Sequence, residues 1–418
     1  MKTIYKKTVQ IVLVILIASV SMSLQAQNMS ASYITISGVV KDKKSNKKLE
    51  YVTITVPGTN IGTITNTDGE FSIKVKSDFN AKALEISHIG YFNTKYPIKE
   101  EEHDVTIYLI PHVSQLKDVI VQAVDARNLV EQAIGKIGDN NSTKANMLTG
   151  FYRETVKKRR NYINISEAIL EIYKTSYTDG ISGDRVQVFK GRRLLSPKAS
   201  DTLIVKLQGG PNLSAFLDVV KNPELILDVK TLSDYKFELE ESAMLNERPH
   251  YVISFTPQVV YPYPLHYGRL YIDKQSLAFS RAEFNLSMDD RNKATQAILR
   301  KKPFNLRFKP EEVSFLVTYK LQDGKSYLNY VWSEVKFKCD WKRRLFSTGY
   351  TIVSEMVVTD RKDENVIKIP NKEAFKENYV LSDKVGNFYD PHFWEDYNII
   401  EPTESLENAV NKLKKQYK

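Results

Sequence analysis

Cysteine is nearly absent: Cys339 is the only one in 418 residues. A single thiol cannot close a disulfide within the chain or build a cysteine metal cluster, so packing alone must hold the fold. Histidine is scarce as well. His88, His103, His112, His250, His266 and His392 form no HExxH and no pair at helical metal spacing, so no metal site is expected. His88 reads as a structural residue of a turn. The 17 glycines include no phosphate-cradling loop, and Gly209-Gly210-Pro211 reads as a turn. The nucleophile elbow G-x-S-x-G does not occur. Cys339 falls on the apolar side of a strand beside Phe337 and Trp341, the setting of a buried, inert thiol. Acidic pairs such as Glu240-Glu241, Asp289-Asp290 and Glu311-Glu312 are chain neighbours at strand ends or turns. Glycosidic chemistry needs two carboxyls about 5–10 Å apart across a cleft, so these pairs are read as solvated. No catalytic constellation and no cofactor site emerges. A hydrolase with a dispersed active site stays open only as a third alternative.

Long apolar runs are also missing. The longest stretch, Val9 to Val20, is broken by Gln10 and Ser19 and is too short for a comfortable membrane span. Lys2, Lys6 and Lys7 precede it, and small and polar residues follow as far as Ala26. This is the layout of a secretory signal peptide over residues 1–26. No cysteine follows the stretch, so the lipid-anchored form of export is not expected. The formal net charge is +10, and removing the three lysines of that segment leaves +7. Such a modest excess suits either a soluble protein or one working near an anionic surface. Nucleic acid is not an expected partner of an exported chain.

Hydrophobic residues at 42% and charged residues at 26% exclude a disordered chain, and 418 residues exceed what one core usually supports. The 24 tyrosines and 18 phenylalanines favour sheet. From Tyr33 to Leu109 the period is two. Phe71, Ile73 and Val75 alternate with Ser72, Lys74 and Lys76, and Val52, Ile54 and Val56 alternate with Thr53 and Thr55. Pro57-Gly58, Asn66-Thr67-Asp68-Gly69 and Gly90 mark turns. Asn66 to Glu70 lacks the twelve-residue calcium pattern and is read as a hairpin turn. A seven-stranded β-sandwich over residues 33–111 is expected.

Several of these stretches carry a resemblance. Ile36-Ser37-Gly38-Val39-Val40, Tyr51 through Thr59, Thr67-Asp68-Gly69-Glu70-Phe71 and Ser87-His88-Ile89-Gly90-Tyr91 resemble the carboxypeptidase-regulatory-like domain. That likeness implies a transthyretin-like sandwich of the kind that precedes the plug of TonB-dependent outer-membrane receptors, and no peptidase activity. Leu116 to Val121 resembles the segment leading into such a plug. The roughly 290 residues that remain are too few for a transporter barrel.

Residues 112–145 are expected to hold a linker and a helix. Leu129, Ala133 and Ile137 share a face, Asp125 is placed as the cap and Gly138 as the end, and Asp139 to Ala145 reads as a polar linker. Residues 146–370 read as a larger antiparallel β domain, a curved half-barrel-like sheet with few helices, one of them Leu213 to Lys221. On its last strand pair Val331, Val335, Phe337, Cys339 and Trp341 share one side. Residues 371–418 form a tail and a helix capped by Thr403. Tyr267 to Lys274 resembles a hairpin of the lipoprotein-carrier (LolA-like) domains, in which a curved sheet wraps an apolar groove. Gly150 to Glu154, Glu167-Ala168 and Phe393 to Pro402 are similar to a family of exported proteins; that likeness implies architecture but no reaction.

Candidate contact residues follow from the pattern. Tyr261 and Tyr263, in Tyr-Pro-Tyr-Pro, would make a stiff aromatic ligand lip, although a loop packed on its own sheet is the plainer reading. Arg159 and Arg160, with Arg343 and Arg344, stand at hairpin turns and would meet lipid phosphates or an acidic partner if gathered on one rim. Solubility and blunting of strand edges is the plainer reading there. The expected function is a non-catalytic binding or assembly protein of the periplasm or outer membrane, with the sandwich as docking module and an envelope protein as partner. The alternative is a carrier of a lipid-like or acylated ligand in the curved sheet.

Overall fold

A computed structural model describes residues 33–99, 101–112, 125–201, 203, 205–341, 346–387 and 393–416. The expected signal segment, the Leu116–Val121 stretch, His392, Arg343 and Arg344 lie outside them.

Seven strands come first: β1 (Tyr33–Asp42), β2 (Thr53–Thr55), β3 (Gly62–Ile64), β4 (Glu70–Lys76), β5 (Ala83–Ser87), β6 (Thr94–Pro97) and β7 (Glu102–Leu109). They form two sheets, β4-β1-β7 and β3-β2-β5-β6. The alternating residues Ile36, Ile54, Phe71, Ile73, Leu84 and Ile86 are buried between them, as a sandwich requires. Gly38 lies beside a register shift between β1 and β7, where a Cβ would sit 2.0 Å from the Val105 carbonyl oxygen. Only glycine fits there.

Helices α1 (Ala126–Gly135) and α2 (Ile137–Asn140) follow, then β8 (Asn146–Lys158), β9 (Asn161–Lys174), β10 (Arg185–Leu195), β11 (Lys206–Leu207) and α3 (Pro211–Phe216). Next are β12 (Tyr235–Leu239), β13 (Ala243–Leu245), β14 (Arg248–Pro257), β15 (His266–Asp273), β16 (Phe279–Leu286) and α4 (Arg291–Ile298). The chain continues through β17 (Leu299–Lys301), β18 (Leu306–Gln322), β19 (Lys325–Trp341), β20 (Thr348–Lys362), α5 (Leu381–Lys384), β21 (Gly386–Asn387) and α6 (Glu404–Gln416). Twelve of these strands form one curved sheet ordered β12-β14-β15-β16-β18-β19-β20-β8-β9-β10-β21, with β13 beside β14; it does not close. The fold is mainly β, a sandwich joined to an open, half-barrel-like sheet.

Turn chemistry sets the hairpin registers. Asn246-Glu247 and Asp323-Gly324 both hold positive φ at both central positions, the type I′ geometry that matches strand twist. Asp125 caps α1 through the backbone N–H groups of Arg127 and Asn128, and Thr403 Oγ1 accepts from Leu406 at the start of α6.

Three expectations about helices are corrected. Helix α1 ends at Gly135, and Gly138 lies inside α2 instead of ending a helix. Asp139 to Ala145 is no free linker: Asn141 and Ser142 are buried, and Asn141 Nδ2 donates to the Ser326 carbonyl. Helix α3 stops at Phe216, after which turns run to Lys221. Those turns bury Leu217, Val219 and Val220 in the core, a demand that one amphipathic helical stripe would not meet.

Side chains of the large sheet alternate between two covered faces. The inner face carries Leu148, Tyr152, Leu170, Ile172, Phe255 and Ile272 against α1 and the segment from Leu217 to Leu232. Nearer the other end of the strands it carries Val156, Ile163, Val335, Phe337, Cys339 and Tyr350, with α4 packed over them. The outer face carries Phe151, Ile169, Tyr330 and Val357 against Ile64 of β3 and against Trp394 and Ile400 of the tail.

Candidate functional site

Strand β8 sends Arg153 to the outer face and Glu154 to the inner face. Arg153 is saturated. Its Nε donates to Glu167 Oε1 at 2.8 Å, one terminal nitrogen to Glu355 at 3.1 Å, and the other to the Ile400 carbonyl at 2.8 Å. Arg192 Nε holds the second Glu167 oxygen at 2.9 Å. Burial alone would raise the Glu167 carboxyl, but the two guanidiniums hold it below its ordinary range. The network fixes the tail across the sheet, and the tail in turn fixes the sandwich. Asn398 accepts from Lys74 N at 2.7 Å and donates to Lys74 O at 3.1 Å, imitating a strand on the outer edge of β4. Thr63 donates to the Ile399 carbonyl at 3.1 Å. Asn66, expected in a hairpin turn, does shape that turn by accepting from Asp68 and Glu70; its amide also donates to Glu401 O.

Glu154 has no such partners. It accepts one hydrogen bond, from Tyr152 Oη at 3.2 Å, and among the described residues no basic side chain pairs with it. Burial pushes its carboxyl above the ordinary range, and the Tyr152 contact only partly offsets this. It borders a cavity of about 700 Å³. The walls are Val156, Ile163, Leu195, Val335 and Ile352 from the sheet, and Leu203, Val205, Leu213 and Leu381 from the segments that cross it. Asn164, Ser333 and Ser354 add polar points beside Glu154, and Lys206, Arg300, Lys301, Asp201 and Asp383 are among the other lining residues. A register shift between β8 and β9 opposite Lys157 turns the adjacent residues Ile163 and Asn164 to the same cavity. An apolar chamber of this size with a few convergent polar groups is the usual form of a small-molecule site.

A second buried polar cluster lies on the inner face away from the cavity. Lys174 Nζ is 2.8 Å from Asp218 and 3.4 Å from Asp184. Tyr177 and Tyr319 donate to Asp218 at 3.0 and 2.8 Å, and Lys221 donates to Thr175 Oγ1 at 2.8 Å. Burial disfavours the charge on Lys174, but the two aspartates more than compensate and its affinity for the proton rises. The cluster pairs its charges internally and pins the covering segment to β9 and β18.

The structure distributes the expected contact residues as follows. Arg159 and Arg160 occupy the exposed β8–β9 turn. Tyr261 and Tyr263 stack on each other at 5.1 Å and 5°, and Tyr261 Oη donates to Asp234 at 2.8 Å. Both groups emerge at the same end of the sheet, with β16, β18, β19 and β20 between their strands. At about 4.8 Å per strand step this is a separation of roughly 24 Å, so they do not form one site. Neither group lines the cavity. Cys339 is buried in the inner-face core, and burial with Asp340 nearby pushes its thiol up to about 12. His88 is driven down to about 4 by burial and then by Arg281, between the sandwich and the sheet. Glu154 was missed as a site residue. The available signal was a charged residue at an inward position of a strand whose neighbours two away, Tyr152 and Val156, are apolar-facing. Among the described residues no group of His, Cys, Asp or Glu could hold a metal ion.

Residues 36–121 match the family model of the CarboxypepD_reg-like domain, and the sandwich is such a domain. No curated protein matches the chain. Among solved structures it is similar, at 11% identity, to a DUF1329 family protein from Desulfovibrio piger, over 58% of this chain and 95% of that one, with a TM-score of 0.26. A putative outer membrane lipoprotein-sorting protein domain from Vibrio parahaemolyticus matches at 11% identity, over 58% of this chain and 93% of that one, with a TM-score of 0.26. A putative membrane-associated protein of unknown function from Bacteroides fragilis matches at 11% identity, over 79% and 99%, with a TM-score of 0.16. TM-scores this low carry no argument about what the chain does.

Proposed function

We propose that the protein is an exported, non-catalytic binding protein of the cell envelope, and that the inner-face cavity holds an amphipathic, lipid-like ligand. The observation that supports this is the cavity of about 700 Å³ whose apolar walls surround one carboxyl group lacking a cation. Burying such a group costs stability unless a partner satisfies it. A ligand with an apolar chain and a hydrogen-bond donor would supply both halves: the chain against Ile163, Leu195, Val335 and Ile352, the donor on Glu154 with Ser333 and Ser354 beside it. Among the described residues no metal-binding group accompanies Glu154 and no basic side chain pairs with Ser333 or Ser354 to activate a hydroxyl, which supports binding over turnover. The test is native mass spectrometry of protein recovered without detergent from producing cells. An added mass that disappears on denaturation supports the reading; a bare polypeptide mass, with no uptake of added acyl-chain lipid, contradicts it.

A second reading keeps the sandwich as a docking module for an envelope partner. In its favour, Phe92, Tyr108 and Ile110 are exposed beside β7. Two of the four sandwich edges are already used within the chain: β3 is buried against β20 and β4 is met by Asn398. Strand addition is thereby confined to β6 and β7. Crosslinking in cells tests it, with a partner lost when Phe92 and Ile110 become serine as the supporting result.

A further inference from the structure

The chamber has a floor and a roof of different charge. The floor is the sheet, and its one carboxyl is Glu154. The roof includes the two-stranded ribbon of β11 and β17, where Lys206 lies opposite Lys301 and Leu207 opposite Leu299. Leu207 and Leu299 pack on the inner-face core, whereas Lys206, Arg300 and Lys301 are exposed side chains that also line the chamber and so mark its mouth. Like charges directly opposite on paired strands repel each other. Among the described residues no carboxylate pairs with either lysine. Arg300 is held by donating to the Glu377 carbonyl, a neutral group that leaves its charge uncompensated. The roof carboxylates do not restore the balance. Asp201 is taken by Lys158 at 3.2 Å and by Ser196 at 2.8 Å. Asp383 remains, one negative charge against three positive ones. Nor do these cations meet Glu154 across the chamber, since no basic side chain among the described residues pairs with it.

We propose that the occupant of this chamber is an anionic amphiphile: one acyl chain against Val156, Ile163, Val335 and Ile352, with a carboxylate or phosphate head against Lys206, Arg300 and Lys301. This rests on the cavity being the ligand site proposed above; what is new is the sign of the occupant's charge. An anionic head relieves the repulsion between Lys206 and Lys301 and gives the Arg300 guanidinium a charged acceptor. A volume of about 700 Å³ suits a single small ligand, for which sites span roughly 300–1,000 Å³. An uncharged donor on the body of the ligand still satisfies Glu154. A cationic amphiphile would suit Glu154 as well, but it would carry its charge past three others of the same sign at the mouth.

The experiment is displacement of an uncharged fluorescent acyl-chain probe from the purified protein by competitors of equal chain length. These are dodecanoate, dodecyl phosphate, dodecanol and dodecyltrimethylammonium, each below its micelle concentration. At least one anion should compete roughly tenfold or more better than dodecanol, with the ammonium compound weakest and the gap narrowing as salt rises. The stronger of the two anions tells carboxylate from phosphate, and either order supports the proposal. Lys206→Gln with Lys301→Gln should remove the preference for anions and leave dodecanol unchanged. Lys82→Gln with Lys99→Gln, at exposed lysines of the sandwich, is the control and should keep the preference. Unchanged thermal unfolding shows that each variant folds. Dodecanol or the ammonium compound competing as well as the anions would overturn the anionic assignment while the cavity stands as a ligand site. An anion preference that survives in the Lys206/Lys301 variant would overturn it too. No binding of the probe and of any competitor would remove the cavity reading itself, and this proposal with it.

Discussion

Arg153 and Glu154 are neighbours on one strand, and the sheet gives them opposite fates. On the outer face Arg153 meets two carboxylates and a backbone carbonyl, and with it the tail and the sandwich are locked in place. On the inner face Glu154 has one tyrosine hydroxyl and an apolar chamber. The Lys174–Asp218 cluster, further along the inner face, shows that this side of the sheet also accommodates charge paired with charge. The difference therefore lies in the cavity, and on the proposed reading it separates charge that holds structure from charge that a ligand would meet.

The largest effect is expected at the saturated site. Arg153→Leu leaves the buried Glu167 and the half-buried Glu355 without their shared partner, which should cost about 3–5 kcal/mol in denaturant unfolding. A loss below about 1 kcal/mol would mean that the outer-face network is solvated and would erase the contrast.

Acid should act next, through His88 and His266. Burial lowers both to about 4, with Arg281 adding to the effect at His88. The unfolded chain takes up these protons near pH 6.5, whereas the fold resists them until about pH 4. The unfolded state thus binds more protons in that window, and stability is lost as pH falls from about 6.5 towards 4. Unfolding midpoints measured across it should drop, and replacing both histidines with asparagine should flatten the drop. A flat profile for the parent protein would contradict the burial of these rings.

Asn398→Ala removes both bonds to β4 and should cost about 1–2 kcal/mol. It should also raise hydrogen exchange along β4, which separates its role from that of Arg153. At Glu154 the cost should be smallest. Glu154→Leu should change stability by less than about 1 kcal/mol or increase it, because a carboxyl without a cation is removed. The sign of the pH effect is opposite to that of the histidines. A carboxyl raised in the fold binds more protons folded than unfolded, so stability falls as pH rises from the ordinary carboxylate range through its raised value. Glu154→Gln should remove that decline. Cys339 should stay unreactive towards a thiol reagent at neutral pH until the protein unfolds, since its thiol is pushed up to about 12.

Much of this fold is legible in the chain because sheets have a short period. Alternation in Phe71-Ser72-Ile73-Lys74-Val75 assigns each side chain to a face without knowledge of any distant residue, and Asn246 marks its own turn. Asp125 likewise announces a helix start. The helix ends were harder: Gly138 looked like a stop, but the chain breaks three residues earlier. The cavity was less legible still. Alternation places Arg153 and Glu154 on opposite faces, yet which face is filled depends on Leu203, Val205, Leu213 and Leu381, brought from far along the chain to roof the sheet. Lys174 and Asp218 meet only because turns, instead of a continuous helix, follow α3. Tyr261 and Tyr263 drew notice as an aromatic motif and turned out to stack on each other away from the chamber.

The most direct test is a fluorescence titration of the protein with an acyl-chain probe, compared with Ile352→Trp, which fills the chamber from one wall. The expected result is saturable binding at one site by the parent protein and little or none by the variant, with both unfolding cooperatively. Equal binding by the two, or none by the parent protein, would contradict the assignment of the inner-face cavity as a ligand site.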